Sequence, residues 1–265
     1  MENIIISIDS EFRNKELYPN ASNFIYDFKE FLINIRSISL SSIEFPNTFY
    51  TFTEKRDNIS FKIKDMSDNI FKIELIEGSY TSDFLLNYVQ DAFNKLVSTN
   101  LTTQKFSISF NEISSKVTIS SDLNFELYLG NTTKYTSLGR HMGYLNDEYS
   151  GNNTYTSENI LNVIGEQYVY LMINNWGGVQ VYDIKDNTSY IKCVFAKILL
   201  TQQKTYIIFD GQSNLITKEY TFRGLEKIKA VRISIVDKYG DPIDMNQDFS
   251  LTLEFKKIYD YKLLK

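Results

Sequence analysis

Three short groups of residues have the types and spacing to do chemistry. In Asp244-Met245-Asn246-Gln247-Asp248 oxygen-bearing side chains alternate, as in the opening of a calcium loop. The resemblance ends there, because Phe249 stands where such a loop needs glycine and Phe255 where it needs a bidentate glutamate. Asp244, Asn246 and Asp248 therefore read as turn residues first and weak metal ligands second. Trp176, in Asn174-Asn175-Trp176-Gly177-Gly178, is the only tryptophan. An exposed indole with amide neighbours suits a sugar ring, since its face matches apolar C–H groups while Asn174 and Asn175 bond hydroxyls. The same residue suits the closed end of a sheet equally well. The third group is His141, beside Arg140 and near Tyr135, Tyr144 and Tyr149. A catalytic histidine needs a placed nucleophile or carboxylate, and nothing local supplies one, so His141 reads better as a loop residue or a subunit contact.

The residue inventory excludes more. One cysteine, Cys193, allows no internal disulfide or dithiol pair, and one histidine allows no multi-histidine zinc site within a chain. Gly-rich phosphate loops are missing. A carboxylate-based glycoside hydrolase would need two acidic side chains facing each other about 5 to 9.5 Å apart, and none of the 33 Asp and Glu residues is singled out. The expectation is a protein that is not an enzyme and needs no cofactor. A net charge of -5 and a pI near 5.1 disfavour nucleic acid as a partner. No apolar stretch approaches the roughly 20 residues of a membrane span, and Met1-Glu2-Asn3-Ile4-Ile5-Ile6 lacks the basic start of a signal peptide. Synthesis in a cytoplasm without direct membrane insertion is expected. Asn-x-Ser/Thr sequons at Asn20, Asn58, Asn100, Asn131, Asn152 and Asn187 are what an Asn-rich chain produces by chance.

The elements that must position these groups are mostly strands. At average usage a chain of 265 residues would carry roughly 13 Pro and 19 Gly; this one has 3 and 11, which rules out linker-rich and collagen-like readings. Ile35 to Phe45 nearly alternates apolar and polar residues and stops at Pro46-Asn47, the pattern of a half-buried strand. Shorter runs follow at 59–63, 70–76, 106–110, 117–120, 125–129, 168–173, 180–182, 191–200, 205–209, 228–236 and 249–255. Asn111 to Ser115 and Asp237 to Pro242 supply turn chemistry. One helix interrupts them: Thr81 is a plausible N-cap, and Phe84, Leu85, Tyr88, Val89, Ala92, Phe93 and Leu96 recur at spacings of three and four.

These elements predict a mainly β protein: an antiparallel jelly-roll-like sandwich with an inserted or appended α+β unit carrying one helix at about 82–97. The expected divisions are an N-terminal arm at 1–23, the first sandwich strands at 24–69, the α+β unit at 70–145 and the remaining sandwich strands at 146–265. Residues 130–159, rich in Asn, Thr, Ser, Gly and Tyr, read as a long connection. Whether the halves share one core stays open.

A set of ordered motifs carries a resemblance. Asp9-Ser10-Glu11-Phe12-Arg13-Asn14, Tyr18-Pro19-Asn20-Ala21-Ser22-Asn23-Phe24 and Ile38 through Pro46-Asn47-Thr48-Phe49-Tyr50 come first. Glu77-Gly78-Ser79-Tyr80-Thr81, Phe195-Ala196-Lys197-Ile198, Ile233 through Gly240 and Asp248-Phe249-Ser250 follow in order. Together they resemble virion proteins of large nucleocytoplasmic DNA viruses, the giant viruses of protists and algae. The resemblance implies a jelly-roll minor capsid or penton protein, located in the virion, with other capsid subunits as partners, the major capsid protein foremost. It implies a homo-oligomer, with a pentamer among the options, and marks Asp9, Arg13, Tyr18, Asn23, Phe24 and His141 as candidate subunit contacts. The alternative function is a carbohydrate-binding module of receptor or fibre type on the virion, centred on Trp176. Tyrosine, at 19 residues, suits contacts because its ring is buried while its hydroxyl finds a partner, although it is also a good strand former.

Overall fold

A computed structural model describes residues 1–130, 135–177, 179–181, 192–200, 207–210 and 219–259. In chain order the strands are β1 (Glu2–Asp9), β2 (Asn23–Pro46), β3 (Ser60–Lys64) and β4 (Ile70–Glu74), then helix α1 (Ser82–Ser98). β5 (Phe106–Asn111), β6 (Lys116–Tyr128), the short helix α2 (Leu138–His141) and β7 (Glu148–Thr156) follow. The last group is β8 (Tyr168–Ile173), β9 (Val179–Val181), β10 (Lys192–Val194), β11 (Ala196–Leu199), β12 (Ile207–Asp210), β13 (Glu219–Val236) and β14 (Ser250–Lys257). The chain divides into two compact units, one made of residues 1–49 and 166–265 and the other of residues 50–165. The second is thus inserted into the first.

The discontinuous unit is the β-sandwich. Its curled antiparallel sheet runs β1-β14-β2-β13-β8-β11, with β12 also against β2. The 24-residue β2 serves both ends of this sheet: residues 23–39 pair with β13, and residues 35–44 pair with β14. Register shifts where β13 passes Ile35 and Leu32 mark the bulges that let two such long strands curl. Alternation decides the faces: Ile38, Leu40, Ile43 and Phe45 of β2 are buried together with Ile233, Ile235, Leu251, Leu253 and Phe255. The strand stops at Pro46, as expected, because proline removes a ladder donor.

Two expectations change in this unit. Residues 1–23 are not a free arm: β1 pairs with β14 over its whole length, Glu2 opposite Lys257 through Asp9 opposite Ser250, and Ile8 is buried. The 24–69 block is also divided, since only residues up to 49 belong to the sandwich and β3 lies in the inserted unit. Side chains of the 180–182 and 205–209 runs and of Cys193 lie outside the described residues.

The inserted unit spans 50–165 rather than 70–145. β6 has β7 along one edge and shares the other between β5 and β3, with β4 beyond β3. The two runs expected at 117–120 and 125–129 are thus one strand bent at residues 121–124. α1 begins where expected: the Thr81 hydroxyl accepts from Phe84 N at 3.3 Å, Asp83 lies in the first turn and Lys95 in the last. Its buried stripe is Leu85, Leu86, Val89, Phe93 and Leu96, whereas Phe84 points to solvent. These side chains pack on Phe61, Ile63, Ile73, Phe106, Val117, Ile119, Phe125 and Leu127, a core distinct from that of the sandwich. The connection expected at 130–159 contains β7, whose inward residues Tyr149 and Tyr155 reach this core. Gly143, at a φ of +93°, turns the chain before it; a Cβ there would lie 2.2 Å from the Asn159 carbonyl oxygen.

Candidate functional site

The largest concentration of motif residues lies where the start of the sandwich meets its last loop. A short helical turn after β1 (residues 10–12) is capped by Asp9, whose Oδ1 accepts from Glu11 N at 2.8 Å. Ser10 is then buried, donating its hydroxyl to Asp248 Oδ1 at 2.9 Å and accepting from Phe249 N at 2.8 Å. Arg13 closes the arrangement. Its guanidinium pairs with Asp248 and donates to Ser10 O at 2.8 Å, Tyr18 O at 2.8 Å and Pro19 O at 2.9 Å. With its side chain 7 % exposed, Arg13 holds three backbone carbonyls and one carboxylate at once. That use of the planar fork is one a lysine could not reproduce.

Asp248 answers to the same partners. Partial burial pushes its carboxyl up, but the Ser10 hydroxyl, the Arg13 charge and, more weakly, Lys15 at 3.6 Å outweigh this, leaving it below the usual carboxylate range. Asn20 ties the next segment down, donating to Ile243 O at 3.0 Å and to Asp244 Oδ1 at 3.1 Å, while its own Oδ1 accepts from Ser22 N. Asn246 donates to Thr48 O at 3.0 Å. The weak metal candidates Asp244, Asn246 and Asp248 thus turn to three different sets of partners, with Asp248 meeting cations. Among the described residues no group of three or more His, Cys, Asp or Glu side chains could hold a metal ion.

The other motif residues divide between core and surface. Phe24 packs 6.1 Å from Phe249 and is 1 % exposed, which makes it a core residue and not a contact for a neighbour. Arg13 is likewise committed within the chain. Asn23 Oδ1 accepts from Ser234 Oγ at 3.0 Å and Arg232 Nε at 3.2 Å, and Tyr18 is half-buried against the core. The apolar residues that do face outward are ones not singled out as contacts from the sequence: Phe12, in the first motif, and Leu17, between the first two, are largely exposed. So are Phe31 and Ile33 on β2 and Leu225 on β13, where the Lys227 ammonium lies 4.0 Å over the Phe31 ring. Their signal was available in part, since Phe31 and Ile33 precede the well-alternating run.

Trp176 is no open platform. Its ring meets Phe222 at 5.0 Å and 89° and packs against the sandwich core. Asn174, in the left-handed region at φ 47°, makes the turn that brings it there and accepts from Arg232 N at 2.7 Å. Gly177 follows because a Cβ would lie 2.4 Å from the Val194 carbonyl oxygen. Asn175 alone of the three is exposed. In the inserted unit, His141 ends α2, donating from Nδ1 to Asn162 O at 2.8 Å with its ring 5.0 Å from Phe52. A groove of about 570 Å³ opens in that unit between β4 and α1.

No described helix is long and apolar enough to cross a membrane. None of the curated proteins matches the sequence. Among solved structures, the selenomethionine-labelled penton protein of mavirus is similar, with a TM-score of 0.51 at 11 % identity. The match covers 97 % of this chain and 99 % of that one, so the likeness is of the whole fold. At the level of sequence, the family description "Family of unknown function (DUF5901)" matches residues 1–240, and the chain belongs to that family.

Proposed function

We propose that this chain is a structural, non-catalytic subunit of a virion shell, a penton or minor capsid component that works through contacts with neighbouring subunits. The observation that carries the reading is the likeness to a penton protein over nearly the full length of both chains. The build of the molecule agrees with it. Long strands joined by bulges make a stiff sandwich, and the polar groups around Asp248 are spent on fixing the chain ends rather than held open for a ligand. On this reading Phe12, Leu17, Phe31, Ile33 and Leu225, exposed apolar side chains of the sandwich, are the contacts with other copies and with the major capsid protein. A giant-virus particle is the location that the ordered motifs favour, with synthesis in the cytoplasm of the host cell.

Carbohydrate binding through Trp176 lacks comparable support, because the indole is already packed on Phe222. The test is assembly. Native mass spectrometry of the purified chain should give species built from closed rings of five copies, in multiples of five, and Phe12→Asp with Leu17→Asp should break the rings without lowering the melting temperature. A ring that persists in that double variant would remove the assigned contacts.

A further inference from the structure

Strand β4 is an edge with one side used. Its register with β3 sets Phe71 opposite Ile63 and Ile73 opposite Phe61. Leu75 N donates to Ile59 O at 2.8 Å and Asp65 N to Asn69 O at 3.0 Å, so odd-numbered residues aim their backbone groups at β3. Even-numbered Ile70, Lys72, Glu74 and Ile76 therefore aim theirs outward, where no other strand pairs with them among the described residues. Of these groups Ile76 O already accepts from the Tyr80 hydroxyl, at 2.6 Å. Side chains alternate too. Ile73 and Leu75 are buried under α1, while Ile70 is 60 % and Ile76 68 % exposed, with the Lys72–Glu74 ion pair of 2.5 Å between them. Edges are normally blunted by shortness, charge, proline or bulges. This one, five residues long, has no proline or bulge, and its two charges are of opposite sign and flanked by apolar residues.

The segment 70–76 is also complementary to itself. Antiparallel pairing with a second copy must join outward-facing residues to outward-facing residues, which restricts the two-fold centre to a residue position. Centring on Lys72 sets lysine against lysine, and centring on Glu74 sets glutamate against glutamate. Centring on Ile73 sets Lys72 opposite Glu74 of the other copy, twice, with Ile70 opposite Ile76, Phe71 opposite Leu75 and Ile73 opposite itself. Charge and apolar matching thus select one register. The groove beside the edge adds apolar surface: Tyr88, Ala92, Leu96 and Leu101 are among the residues that line it. We propose that the β4 edge is a self-association site at which a second copy of this chain pairs antiparallel about Ile73, making one sheet from two inserted units.

This goes beyond the capsid reading and does not rest on it, since it uses the inserted unit and not the exposed residues of the sandwich. It joins two free subunits, or two rings, through a symmetric contact. The test uses the full chain and charge reversal in trans. Sedimentation should show wild type in even-numbered assemblies, a dimer or a doubled ring. K72E and E74K alone set like charges across the axis and should each weaken that pairing at least about tenfold. An equimolar mixture of the two, one of them isotopically labelled, should regain it as a mixed pair, because the two glutamates of one copy then face the two lysines of the other. The double variant K72E/E74K should regain it within one chain. Circular dichroism checks that each variant is folded. A wild type that is a lone monomer or lone ring, single variants that pair as well as wild type, or a mixture that does not pair would each overturn the proposal.

Discussion

Asp248 joins the beginning of the sandwich to its last strand, and its charge does so through Ser10 and Arg13. Asp248→Asn keeps the shape and removes the charge, so it should lower stability at neutral pH by about 1.5–3 kcal/mol, the range for hydrogen bonds to charged groups. The sign of the pH dependence follows from the lowered folded pKa. The contribution is complete above the unfolded value of about 3.9 and disappears as pH falls through the lower folded one. Urea titrations of wild type and Asp248→Asn should therefore differ by a constant amount above about pH 5, begin to converge only below about pH 4, and meet beneath the folded pKa. A gap that stays open in acid would show that the carboxylate is not the group that matters. Trp176 gives a second residue-scale test. If its indole fills the sandwich core beside Phe222, Trp176→Ala lowers unfolding free energy by about 3 kcal/mol, the low end of the range for a large aromatic because the ring is only half-buried. A glycan platform would lose binding in that variant and little stability.

At the scale of elements, β1 carries the clearest prediction. Deleting residues 2–9 removes a fully paired strand and Ile8 from the core, and should lower the melting temperature by at least about 5 °C. Deleting a free arm would not change it. That strand was hidden in the sequence because Ile4-Ile5-Ile6 breaks the period of two, Ile5 being exposed between its half-buried neighbours. β7 was hidden for the opposite reason. It needs only Tyr149 and Tyr155 on the inward face, so Glu148 to Thr156 reads as polar loop although both its ends pair with β6. Helix α1 was legible nearly to the residue, since a stripe at spacings of three and four has no competing explanation; Phe84 was misassigned because it sits in the first turn, before the stripe settles onto the sheet. At the motif around Asp248, residue types were legible but not partners. Arg13 and Asp248 are 235 positions apart, and nothing local says that an arginine near one end of the chain meets an alternating Asp-Asn-Asp run near the other.

The whole molecule is two units with two cores, the point that sequence left open. Calorimetry should resolve two transitions, one moved by Val89→Ala in the inserted unit and the other by Ile233→Ala in the sandwich, the latter by the several degrees that a loss of about 2–5 kcal/mol produces. A single transition shifted equally by both would mean that the units unfold as one. The proposed role in a shell draws its contacts from the sandwich. The most direct test of that role is to find the chain in the particle. Particles purified from cells that make this protein, imaged with the five-fold vertices averaged, should show five copies of the sandwich closing each vertex. Particles complete in their other shell proteins but lacking this chain would contradict it.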